Sequence, residues 1–257
     1  MILSQMEMQQ YYFLIIILII LQSIVGIGVL VVGTPLLLLL NFEIIEIMFF
    51  LLPISILTSF INFFLIKIFN KNKLKFYLDS NIKKYFFIYC LPGIFLGIYL
   101  IKNFQNYLNF ELLVASIILI SLLIKYKYEN LIKNLSVFYS KIILSLIGVI
   151  HGISNSGGTL LSLFLISNSE DKKNQLRYKI SFYYFFLALL QYLILSYIFQ
   201  QFISLDQIIY ILPLIFIGSM LGNFLCKIID ESFFKKSVQF IAFLSSIILI
   251  IKKMFLV

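Results

Sequence analysis

From Tyr11 to Leu40 the chain runs for thirty residues without one charged side chain. About 20 predominantly apolar residues are enough to carry an α-helix across the hydrocarbon core of a bilayer. Further apolar stretches follow at about 44–69, 85–101, 110–124, 136–150, 159–166, 180–199, 208–229 and 234–251. Over the 257 residues, 62% are hydrophobic and 12% charged, against roughly 45–50% and about 25% in soluble domains. The expected fold class is all-α: a polytopic membrane protein of about 8–10 hydrophobic segments. No basic n-region and no small-x-small cleavage site accompany the first segment, so it is expected to stay in the mature protein. Cys90 and Cys226 are far apart in apolar segments and read as packing residues rather than a disulfide or metal pair.

The net charge of +9 does not point to nucleic acid, because the lysines gather at the ends of apolar segments, where they orient helices. No Lys or Arg precedes Lys67, so the N-terminus and the turn at Asn41–Glu46 read as external. Lys71, Lys73, Lys75, Lys83 and Lys84 mark a cytoplasmic loop. Lys125, Lys127 and Lys133 agree with it, as do Lys172, Lys173, Arg177 and Lys179. The loop from Gln200 to Asp206 carries no lysine and reads as external, while Lys252 and Lys253 run against the pattern.

The first stretch is too long for one span and is interrupted by Gly26, Gly28, Gly33 and Pro35. A second interruption, "HGISNSGGT" at 151–159, holds the chain's only histidine and leaves a short apolar stretch behind it. The two are related. "GTPLLLLL" from Gly33 matches "GGTLLSLFL" from Gly157, pairing Gly33 with Gly158 and Thr34 with Thr159 at a spacing of 125 residues, and "LPGIFLGIYL" from Leu91 matches "LPLIFIGSML" from Leu212 at 121. Residues 1–133 and 134–257 therefore read as two repeats of one membrane domain. The turn after the first break reads as external and its counterpart as cytoplasmic, so the repeats read as inverted, an architecture typical of secondary transporters.

Irregular backbone at membrane depth is tolerated only against protein or a water-filled cavity. A helix that restarts there offers free N–H groups and a positive dipole end to an anion. Ser154, Asn155, Ser156 and Thr159 add side-chain donors, and Gly157 and Gly158 let an oxyanion approach the backbone. Gly33 and Thr34 are expected to supply the matching half-site, with Pro35 in the first turn of the helix that follows. Gly93, Gly97, Gly218 and Gly222 read instead as close-packing positions. His151 has no evident counterpart in the first repeat. Two roles stay open for it: proton coupling or anion contact, and a simple bond to a carbonyl.

Ser55, Thr58, Ser59 and Asn62 fall on one helical face, and Ser181, Tyr184, Gln191 and Tyr192 form a looser stripe. A lone Ser or Thr often bonds its own helix, but Asn62 and Gln191 do not fit that account. Ser55, Ser59, Asn62 and Gln191 are therefore expected to line a cavity.

The glycine-rich break before "GTPLLLLL", the second break "GISNSGGT" and the two "LP…G" helices resemble the TauE/SafE family of sulfite and sulfonate exporters, also called the four-toluene sulfonate uptake permease family. The resemblance covers nearly the whole chain. It implies transport of small sulfur-containing or carboxylated anions by an integral protein of the bacterial inner (cell) membrane.

The leading expectation is a secondary anion transporter, working as an exporter by alternating access. No Walker motif is present to drive it with ATP. A cation-coupled exchanger or channel is the alternative, though Glu43, Glu46, Glu111 and Asp206 sit near segment ends rather than inside. An intramembrane enzyme is disfavoured: there is one histidine, no HExxH pair and no paired membrane aspartates, and a Ser154 nucleophile would have only His151 as its base; no cofactor or metal site is called for. A scaffold would have no need of matched breaks. The expected partners are a small anion, the lipid bilayer and, as an option, a second copy of the chain; nucleic acid is not among them.

Overall fold

The structure is a computed structural model and describes residues 11–69, 77–105, 107, 109–133, 137–167, 171–202, 205–230, 233, 236, 240, 243–244 and 246–251. The expected segment at 234–251 is described only in part, at 236, 240, 243–244 and 246–251, where it is helical, and Lys71, Lys73, Lys75, Lys252 and Lys253 lie outside the described residues. Among the described residues all regular structure is helical. In chain order the helices are α1 (Tyr12–Val25), α2 (Val29–Leu39), α3 (Ile44–Phe69) and α4 (Ser80–Tyr85). A π-helical turn (Phe86–Cys90) then leads into α5 (Leu91–Phe104). They are followed by α6 (Phe110–Lys133), α7 (Val137–Ser154), α8 (Gly157–Ser167), α9 (Lys173–Phe199) and α10 (Leu205–Ile228).

Among the described residues four helices are long and apolar enough to cross a membrane: Ile44–Phe69, Ser80–Phe104, Lys173–Phe199 and Asp206–Ile228. The helices on either side of each break are shorter. α2 and α8 have 11 residues each, about 16 Å of helix, which reaches roughly half-way through the hydrocarbon core. The first break is confined to Gly26–Gly28 and the second to Asn155–Ser156. Pro92 sits directly behind the π turn, whose extra residue gives its missing N–H and its ring a place in an otherwise continuous helix.

α9 begins seven residues earlier than the apolar stretch that marks it. The charges that ended that stretch are satisfied inside the protein rather than in a loop. Lys179 Nζ meets Asp171 at 2.6 Å, and Lys173 Nζ donates to the Cys226 carbonyl at 2.8 Å and to that of Ile229. Arg177 donates to the Ser23 carbonyl and to Asn223 Oδ1.

Two glycine-lined contacts tie the bundle together. α5 lies on α7 with Gly93 and Gly97 facing Gly148 and Gly152, so closely that a Cβ on any of the four would strike the other helix's backbone. α10 lies on α1 in a similar way, with Gly218 against Ile19 and Gly222 against Ser23 and the Ile20 carbonyl. Small residues of this kind allow helices to pack where apolar burial alone gives no driving force. Gly152 thus belongs to packing, although it lies within the second sequence interruption.

Between these contacts α3 and α9 run antiparallel along a buried seam. Met48 meets Gln191, Ser55 lies beside the Tyr184 hydroxyl, and Asn62 reaches Arg177 through Asn223. Phe63 stacks on Tyr178 with ring centroids 4.6 Å apart, and Phe49 meets Tyr192 edge-on at 6.3 Å. The outer faces of α5 and α10, with Phe95, Leu96, Phe216 and Phe224, are apolar and exposed, as a lipid-facing surface requires.

Candidate functional site

The second break is built by residues that finish one helix and start the next. Ser154 closes α7 by donating its hydroxyl to the Ile150 carbonyl at 2.7 Å. Asn155 then turns the chain with φ at 58°, in the left-handed region, where asparagine is one of the few tolerated side chains. Its N–H bonds the His151 carbonyl at 3.0 Å. Ser156 shares a short 2.5 Å hydroxyl contact with Ser154. The first N–H groups of α8, at Gly157 and Gly158, have no intrahelical acceptor.

Asn155 also joins three other elements to this turn. Its Nδ2 donates to Thr34 Oγ1 on α2 at 3.3 Å. Its Oδ1 accepts from Gln191 Nε2 on α9 at 2.9 Å, and the same amide reaches the His151 carbonyl at 2.9 Å. Thr34, His151, Ser154, Asn155 and Gln191 all have 0% exposure. Gly158 lies flat against the Tyr184 ring, where any Cβ would overlap it. A Cβ on Gly157 would come 2.5 Å from that of His151.

The first break uses different chemistry. Gly26 ends α1 with φ at 88°, and its N–H bonds the Gln22 carbonyl at 2.7 Å. Gln22 therefore holds the same place before Gly26 that His151 holds before Asn155, so His151 does have a positional counterpart. The Gln22 amide Nε2 donates to the Ser55 carbonyl at 3.1 Å and to Ser59 Oγ at 2.9 Å. Its Oε1 accepts the Val29 N–H at 3.1 Å, filling the N-terminal end of α2.

This cap corrects one expectation. α2 starts at Val29, so Gly33, Thr34 and Pro35 lie inside it, and Pro35 is not in its first turn. Gly33 is packed against Leu18 and Leu51, and Pro35 is buried. Of the three, Thr34 alone is tied to the second break by a hydrogen bond.

The residues expected to line a cavity separate along the seam. Gln191 is at the second break, Ser55 and Ser59 hold Gln22, and Asn62 donates to Ser23 Oγ at 3.0 Å one level further on. Thr58 bonds its own helix at the Ile54 carbonyl.

What distinguishes the two breaks is unspent hydrogen-bonding capacity. Neither ring nitrogen of His151 completes a hydrogen bond among the described residues, although the Asn155 backbone lies beside the ring. Thr159 Oγ1 and Gln191 Oε1 are likewise buried and unpaired. The Tyr184 hydroxyl lies near Ser55 and the Leu30 backbone without meeting hydrogen-bond geometry. Tyr184 thus spans the two half-helix starts, with its ring on Gly158 and its hydroxyl toward α2. Buried polar groups are normally paired, and such a concentration of exceptions marks a place where something else binds.

Sequence reading missed Gln22, Tyr184 in this role, and Arg177. Gln22 stood in the sequence as one polar residue in an apolar run, which is a usable signal. Gln22→Leu is expected to leave the Val29 N–H and the α3 hydroxyls short of partners. The cost, about 1–3 kcal/mol, should appear as a lower unfolding temperature in detergent.

A family model described as "Sulfite exporter TauE/SafE" matches residues 11–249, nearly the whole chain. No curated protein and no solved structure matches it significantly.

Proposed function

Because the chain belongs to the TauE/SafE sulfite exporter family, a family of integral membrane transporters, we propose that it is a secondary transporter exporting small sulfur-containing or carboxylated anions by alternating access. In this reading it works in the bacterial inner membrane, and its two halves are inverted repeats. The matching contacts of α5 on α7 and α10 on α1, and the antiparallel run of α3 and α9, support the inversion.

The observation that carries the reading is the contrast between the breaks. The start of α2 is filled by Gln22, whereas the start of α8 faces His151 and Thr159 with polar atoms unspent. Free N–H groups at a helix start, a dipole worth about half a positive charge and a glycine pair without Cβ atoms suit an oxyanion. Gly157, Gly158 and Thr159 would hold it through the backbone and a hydroxyl. Asn155 and Gln191 fix the turn, and Ser154 and Ser156 brace each other. Thr34 ties the site to the first half. Among the described residues no acidic side chain joins this cluster: Glu43 is exposed, and Asp171 is paired with Lys179. That favours an anion over a coupled cation.

The test is flux in proteoliposomes. Saturable sulfite efflux without matching sodium or potassium flux is expected. Thr159→Val, which keeps shape and removes the hydroxyl, is expected to lower it about ten-fold, the loss of one charge-assisted bond. Cation flux without sulfite flux would overturn the reading. With neither ring nitrogen bonded to a carbonyl among the described residues, His151→Gln separates proton coupling from anion contact: loss of pH-driven accumulation with intact anion exchange assigns the first, and loss of both assigns the second.

A further inference from the structure

Arg177 is the chain's single arginine, and it is buried to 3% exposure inside a helix that crosses the membrane. A guanidinium removed from water is normally matched by a carboxylate. Among the described residues none pairs with it, and Asp171, on the same end of α9, is held by Lys179 at 2.6 Å. Arg177 Nη2 donates to the Ser23 carbonyl and, at 2.9 Å, to Asn223 Oδ1. Its Nε–H has no partner, and neither does the Ser219 hydroxyl one turn before Asn223. Around it, Asn223 Nδ2 donates to Asn62 Oδ1 at 2.7 Å, and Asn62 donates to Ser23.

Capping the end of α1 does not account for this arrangement. Lys173 performs the same service for α10, on the Cys226 and Ile229 carbonyls, from a half-buried position. Arg177 spends Nη2 on α1 and on Asn223 and keeps a full charge and its Nε–H donor, with the unpaired Ser219 hydroxyl nearby, in a buried setting. A planar fork of N–H groups recognises an anion that presents two oxygens side by side. Arg177 also shares a face of α9 with Ser181 and Tyr184, so it lies about 10 Å along the axis from the half-helix starts.

We propose that Arg177, with Asn62, Ser219 and Asn223, forms a second anion-binding station that takes a small oxyanion on the Lys172 side of the protein before it reaches the second break. The missing counter-ion of Arg177 is then the transported species itself. The role in transport rests on the anion-exporter reading above; the binding station does not.

Asn223→Asp is the decisive variant. It places a carboxylate where Arg177 already has an acceptor, and the Asn62 amide can turn over to donate to it. Unfolding temperature should stay at or above that of the wild type, because the buried charge gains a partner. In oriented vesicles, the KM for sulfite on the Lys172 face should rise about ten-fold or more, with less than about a two-fold change on the opposite face. Arg177→Gln should give the same one-sided rise, and Arg177→Lys, with charge but no fork, a smaller one. Wild-type KM on both faces in Asn223→Asp overturns the proposal, as does an equal rise on both. If the wild type carries no sulfite, the transport reading falls, and sulfite-dependent stabilisation decides the station alone. A rise in unfolding temperature with sulfite that Asn223→Asp lacks sustains it, and no such rise in the wild type overturns it.

Discussion

Asn155→Ala is expected to cost about 2–5 kcal/mol and to abolish anion flux, whereas Asn155→Gly costs about 1–3 kcal/mol. The two variants separate the two things Asn155 does. Its backbone sits at φ 58°, a conformation costing a residue such as alanine roughly 1–2 kcal/mol and glycine almost nothing. Its side chain joins Thr34 on α2 to Gln191 on α9 at 3.3 and 2.9 Å. Both variants strip those partners, and only alanine adds strain. Thermal unfolding in detergent should rank wild type above Gly above Ala. Flux should fall in both, because each releases the turn from which α8 starts. If Asn155→Gly transports at the wild-type rate, the turn alone matters and the links to Thr34 and Gln191 do not.

Gly148→Val is expected to prevent accumulation of folded protein, and Gly148→Ala to destabilise it by about 3 kcal/mol or somewhat more. A Cβ at this position would fall on the Cys90 carbonyl of the π turn, and its neighbours across the contact are backbone as well. Backbone cannot swing aside as a side chain can. The whole of α7 would have to move off α5, opening the contacts at Gly93, Gly97 and Gly152 together. Gly33→Ala is the control, since its nearest neighbours are the tips of Leu18 and Leu51, which can shift for about 1–3 kcal/mol. Size-exclusion profiles and unfolding temperatures of the three variants test the order. A well-folded Gly148→Val would mean that α5 and α7 are not held at backbone contact.

Much of the helical layout was legible because apolar runs, prolines and glycines act locally. The segments around α3, α5 and α10 and both interruptions could be read from residue order alone. What could not be read depends on partners brought from far along the chain. Arg177 and Lys179 look like loop charges until Ser23, Asn223 and Asp171 arrive to receive them, so α9 was read as starting too late. Pro35 was expected in a first turn because nothing local shows Gln22 starting α2 at Val29. The second interruption was located, but most of it is helix, from His151 to Ser154 and again from Gly157; only Asn155 and Ser156 are irregular. Tyr184 was read only as one member of a loose polar stripe, because its place is set by the missing Cβ of Gly158 on another helix.

The seam between α3 and α9 has a mechanical consequence. Its polar meetings at Met48–Gln191, Ser55–Tyr184 and Asn62–Arg177 recur every seven residues on each helix, about 10.5 Å or two turns. A slide of one turn, about 5.4 Å, would lift every one of these side chains off its counterpart at once. The pair therefore behaves as a keel: it can tilt as one body but cannot shear. In the alternating-access reading, the change of shape would then fall on the two breaks, Gly26–Gly28 and Asn155–Ser156, with the half-length helices moving against a spine that holds its length.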